Sequence, residues 1–174
     1  IQDLPSVEAF ASEVVSSQLS NSSSTETITE IASSVTIALA GIASSGNINA
    51  SYVIEYASSG VTQGVIKATQ NNNSGLAEAI KAVSSGSAAG AIQFAVDTGT
   101  DIGKAVSAAS SGSLAAIIES TKEADLDIIQ AVEASSAGLV SGAVNTSAEL
   151  NADIAKTISA AAAGIVEGAI EASV

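Results

Sequence analysis

The chain repeats itself. ASSGVTQGVI begins at Ala57, VSSGSAAGAI at Val83, ASSGSLAAII at Ala109, SSAGLVSGAV at Ser135 and AAAGIVEGAI at Ala161. The leading glycines are Gly60, Gly86, Gly112, Gly138 and Gly164, a constant step of 26 residues. A second small residue keeps the same step at Gly64, Gly90, Ala116, Gly142 and Gly168. So does an aliphatic residue six before each leading glycine: Ile54, Ile80, Val106, Val132 and Ile158. A weaker copy, IASSVTIALA, begins at Ile31, with Ser34 and Ala38 at the small positions and Ile28 at the aliphatic one. A fixed period of this length marks an array of like units, each burying an apolar face against its neighbours. The array occupies residues 25–174. Residues 1–24 do not fit the pattern and read as an N-terminal cap segment.

Within one period the apolar residues step by three and four. Leu76, Ile80, Val83, Ser87, Gly90 and Phe94 form one helical stripe, and Ala79, Ala82, Gly86, Ala89 and Ile92 a second, smoother one. A helix apolar on two sides needs neighbours on two sides. Polar turn residues fall between the stripes, at Asn21–Ser24, Asn47–Asn49, Asn71–Gly75 and Asp97–Asp101. Ser120–Glu123 and Thr146–Glu149 read as capping boxes that open the next helices. The expected fold is therefore all-α, an antiparallel helical repeat array or bundle with helices of about 20 residues, roughly 30 Å long. Turns at each glycine would instead give paired helices of about 10 residues, and short isolated helices are marginal. A β-solenoid fits the period but not the alanine content or the 3–4 spacing.

With turns at the polar stretches, the glycines lie near mid-helix. There each costs about 1 kcal/mol against alanine, a penalty that close packing has to offset. Gly-x-x-x-Gly and its small-residue variants let helix backbones approach closely. Gly60, Gly64, Gly86, Gly90, Gly112, Ala116, Gly138, Gly142, Gly164 and Gly168 are accordingly the expected packing and assembly residues. If antiparallel neighbours meet midpoint to midpoint, these residues make one continuous band across the array.

Composition narrows the chemistry. Hydrophobic residues make up 47% of the chain but aromatic residues only 2%, so any core is built from alanine, valine and isoleucine and is thin. Charged residues are 13%, about half the usual share, which leaves serine, alanine and aliphatic surface to be covered by other copies or by lipid. The net charge of −13 excludes a nucleic-acid partner and opposes docking to an anionic membrane. Its plain role is solubility. The acids are scattered, with no calcium-loop pattern. Glu26, Glu30, Glu78, Asp101, Glu123, Asp125 and Glu149 lie near the expected helix starts, where the helix dipole favours them.

There is no cysteine and no histidine. Disulfides, thiolate metal sites and Ser-His-Asp catalysis are thereby excluded, and only a serine-lysine pair or a carboxylate pair remains as a formal option. The SSGSAAG segment has the glycines of a phosphate loop but no strand before it, and its five-fold recurrence reads as structure. No catalytic residue, cofactor or metal site is expected, and the chain is not expected to be an enzyme.

Asn21, Asn49, Asn72 and Asn145 each open an N-x-[ST] sequon in or beside an expected turn and are candidate glycosylation sites. The chain opens IQDLPSVEAF without a methionine. Because Ile1 is too large for ordinary initiator trimming, cleavage of a longer precursor at a secretory signal is expected. Together these features lead to the expectation of an extracellular or cell-surface structural protein. Its subunits self-assemble into a filament, sheet or coat through small-residue helix faces, with copies of itself as partners. The alternatives are a membrane-inserting or pore-forming helical protein, since 30 Å helices match a bilayer core, and a binder of an apolar ligand or of ice.

Overall fold

A computed structural model describes residues 4–19, 23–46, 48–69, 75–124 and 126–173. Among these residues the chain forms seven helices and no strand: α1 (Leu4–Gln18), α2 (Thr25–Ser45), α3 (Ala50–Thr69), α4 (Leu76–Thr98), α5 (Ile102–Glu123), α6 (Ile128–Glu149) and α7 (Ile154–Glu171). The protein is an all-α array, and the repeated glycines lie inside helices rather than at turns.

The starts of α2, α5, α6 and α7 are fixed by side-chain caps. Ser24 Oγ accepts from Thr27 N–H at 3.1 Å, Asp101 from Lys104 N–H at 3.0 Å, and Asp153 from Lys156 N–H at 3.0 Å. Asp127 accepts from both Ile129 N–H at 3.0 Å and Gln130 N–H at 3.1 Å. Each cap satisfies one or two amides that have no partner inside the helix. Helix α4 ends at Gly99, whose φ of 71° is the left-handed conformation that reverses the chain without strain only for glycine.

The capping boxes expected at Ser120–Glu123 and Thr146–Glu149 are corrected here. Both stretches are the last turns of α5 and α6. Asp127 and Asp153, a few residues on, are the true N-caps. Thr121 shows why the serine-threonine signal misleads: its hydroxyl donates back to Ile117 O at 2.7 Å, inside the helix. Glu123 and Glu149 thus sit at helix C-termini, whereas Glu26 and Glu78 lie in first turns and Asp101 is itself a cap. Asp125 lies outside the described residues.

Successive helices run antiparallel through short connections, but the most extensive packing is between helices two apart. The array therefore has two layers, α1–α3–α5–α7 and α2–α4–α6, with parallel neighbours inside each layer. Aliphatic residues fill the seam between the layers: Val53, Ile54, Val61, Ile80, Val83, Ile92, Val106 and Ile117 are all buried. Helix α1 takes the first place in its layer, with Val7, Ala11 and Val15 fully buried.

Candidate functional site

The repeated small residues have a more specific partner than a neighbouring glycine. A Cβ added to Gly60 would lie less than 3.0 Å from Glu8 O, and one on Gly64 less than 3.0 Å from Ser12 O. The same relation joins Gly86 to Thr29, Gly90 to Ser33, Gly112 to Glu55, Gly138 to Lys81, Gly142 to Ser85, Gly164 to Ser107 and Gly168 to Ser111. In each case the glycine meets a backbone carbonyl of the helix two earlier. Rising residue numbers pair with rising numbers, so the two helices are parallel. The expected midpoint contact between antiparallel glycine faces is therefore corrected. The glycines face carbonyls, not one another, because same-layer helices lie closer than helices joined by a turn. Ala116 occupies the second small position of α5 and is fully buried.

Each interior helix thus carries two unlike faces. One holds the glycines. The other begins five residues before the leading glycine, at Glu55, Lys81 and Ser107, and receives the glycines of the helix two later. Small side chains complete that receiving face: Ser84 Cβ lies opposite Gly138, and Ser110 Cβ opposite Gly164. Close approach of this kind gains dispersion along both backbones and allows weak Cα–H···O contacts, which offset the propensity cost of the glycines.

Hydroxyls and carboxylates tie neighbouring helices within each layer. Gln63 Nε2 donates to Glu8 Oε1 at 2.7 Å, and Ser59 Oγ donates to the same oxygen. Ser107 and Ser111 donate to Glu167 and Glu171, each at 3.1 Å. Ser84 and Ser135 hydroxyls share a buried bond of 3.0 Å. Other buried hydroxyls, including Ser58, Thr62 and Ser110, have no hydrogen-bond partner among the described residues.

A groove of about 190 Å³ is lined by Glu8, Glu55, Ser59, Glu119 and Glu171. Burial, followed by the charges of Glu171 and Glu167, raises the Glu55 pKa above its ordinary value. Among the described residues no group of acids is placed to hold a metal ion. A second groove of about 500 Å³ places Lys67 with Ser12 and Ser120. At Asp101 the Lys104 amide, then Lys156, hold the carboxyl below its usual range, in an exposed pair of 3.2 Å.

Of the sequons, Asn49 is exposed just before α3, where its side chain accepts from Ser51 N–H at 3.0 Å. Asn145 is exposed but lies within α6, four residues before its end, rather than in a turn. Asn21 and Asn72 lie outside the described residues. One stretch, Thr25–Ala43 of α2, is long and apolar enough to cross a membrane by composition, and 33% of it is buried in the array.

The two ends of the array differ. At the N-terminal end, the places of the paired glycines are taken by Glu13 and Ser17 in α1 and by Ser34 and Ala38 in α2. Among the described residues no glycine packs on the receiving faces of α6 and α7. Ile129 is 69% exposed there, and Val166 and Ile170 are also largely exposed. No protein-family model matches the chain, and no curated protein matches it in sequence.

Proposed function

We propose that this chain is a structural protein that works by associating with copies of itself, as an element of a larger extracellular or cell-surface assembly. One observation carries the reading. The molecule is built by stacking one interface repeatedly, glycine against backbone carbonyl, and the described residues of α6 and α7 carry exposed large aliphatic side chains. Open faces of a repeat array are the usual points of further packing. The chain has no histidine or cysteine, the commonest general base and the most reactive nucleophile.

Light scattering on the purified full chain over a hundredfold concentration range, with negative-stain microscopy of the same samples, tests this. A mass that rises with concentration, or ordered particles, supports it; a monomer throughout overturns it. The Thr25–Ala43 stretch favours membrane insertion as a second reading. Flotation with neutral liposomes separates the two, because an assembly that needs no lipid stays in the dense fraction.

A further inference from the structure

Two of the four sequons lie in described residues, and the structure separates them. Asn145-Thr146-Ser147 is inside α6. On a helix, side chains two apart point about 200° from each other, so no enzyme can read Asn145 and Ser147 from one side. Ser147 is also fully buried, and its hydroxyl donates to Thr157 Oγ1 of α7 at 2.9 Å. Helix α6 is made after α4, the helix it packs on, so it can dock as it emerges. Asn49-Ala50-Ser51 differs on each count. Asn49 is exposed and precedes α3, and Ser51 is only partly buried in the first turn. Asn49 Oδ1 accepts from Ser51 N–H at 3.0 Å, so the carboxamide and the serine already lie together.

The surroundings of the two asparagines differ as well. Ile48 N–H donates to Ala43 O at 3.1 Å, which folds the chain back over the end of α2. Three large side chains there stand in solvent beside Asn49: Ile42 is 53% exposed, Ile48 39% and Tyr52 55%. Asn145 instead borders a groove of polar side chains that include Ser33, Ser34, Thr146 and Glu149. A bulky, strongly hydrated group has apolar surface to screen at Asn49 and none at Asn145. We propose that Asn49 is an acceptor for an N-linked glycan and that Asn145 is not. The donor is an oligosaccharide linked through pyrophosphate to a lipid. Asn49 Nδ2 attacks C1 of its first sugar, the N–C1 bond forms and the C1–O bond to pyrophosphate breaks. The lipid pyrophosphate leaves with that electron pair, and Nδ2 gives up one proton to the transferase. The glycan then covers Ile42, Ile48 and Tyr52 and keeps the α2–α3 turn out of contacts between copies.

This inference rests on the extracellular part of the proposed function, and its test separates the two. The full chain is given a secretory signal and expressed in cultured eukaryotic cells, beside Ser51→Ala, Ser51→Thr and Asn49→Gln. The secreted proteins are treated with peptide N-glycosidase, which turns each glycosylated asparagine into aspartate, and are mapped by mass spectrometry. Position 49 is converted in most wild-type and Ser51→Thr molecules and in no Ser51→Ala molecules, while Asn145 stays asparagine. A folded, secreted wild type with Asn49 unconverted, or with Asn145 converted to the same extent, overturns the assignment. Asn49→Gln binds several-fold more of an apolar fluorescent dye than the glycosylated wild type, and equal binding overturns the screening role. Occupancy of Asn49 in this secreted chain, with none on the chain taken from its own source, upholds the acceptor and overturns the extracellular location.

Discussion

Gly112 of α5 rests against the backbone carbonyl of Glu55 in α3, so close that no side chain fits between them. The contact is between two backbones, and neither can move aside as a flexible side chain would. Gly112→Ala should therefore lower stability by about 2–3 kcal/mol through overpacking, against the roughly 1 kcal/mol that helix propensity would return. Gly41, in α2, is the internal comparison: a Cβ there meets nothing within 4 Å. Gly41→Ala should raise stability by about 0.5–1 kcal/mol. Urea unfolding of both variants checks the pair, and equal effects would refute the close-packing account.

Glu55 makes stability depend on pH with a definite sign. Its pKa is raised in the folded state above the ordinary 4.5, so between those two values the folded chain binds more protons than the unfolded one. The contribution is fully present below about 4.5 and is lost as pH rises through the raised value. Glu55→Gln, which cannot ionise, should be more stable than the wild type at pH 7, by no more than about 1 kcal/mol once solvent screening of the half-exposed group is allowed for, and nearly equal to it at pH 4. Urea midpoints at the two pH values measure the difference. A gap that grows toward acid would contradict the sign.

Thr62 is fully buried, and its hydroxyl has no hydrogen-bond partner among the described residues. Valine has nearly its shape and no polar atom to desolvate. Thr62→Val should stabilise the chain by about 1 kcal/mol, at the lower end of the cost of an unsatisfied buried polar group. A loss of stability would mean that the hydroxyl is bonded in solution.

The start of α6 is set by Asp127 and its end by the turn after Glu149. Asp127→Ala should cost about 1 kcal/mol through loss of the cap. Thr146→Ala, in the last turn, should change stability by less than about 0.5 kcal/mol. Amide exchange at Ile129 and Gln130 should quicken in the first variant alone, since those amides bond to Asp127. Faster exchange near Leu150 in the second would restore the capping-box reading of Thr146.

The sequence by itself determined the period, the helices and their apolar stripes, because local spacing of apolar and turn residues is enough to place amphipathic helices. It also marked Gly60 to Gly168 as a series under one constraint. It could not say what the glycines touch: a carbonyl 57 residues back, as for Gly112 and Glu55, leaves no mark on local spacing. Nor did it show that α1 belongs to the array. Glu8 precedes Thr29 by 21 residues where later steps are 26, and that shortened step hides the match. At Ser120 and Thr146 local reading failed outright, since hydroxyls that bond back into a helix carry the same sequence signal as hydroxyls that start one. Tertiary structure alone decided the layering, and with it the difference between the ends. Parallel helices two apart pack by unlike faces, so a stack of them must finish with a glycine-type face at one end and a receiving face at the other. Glu13 takes a glycine position in α1, and Val166 lies on the receiving side of α7.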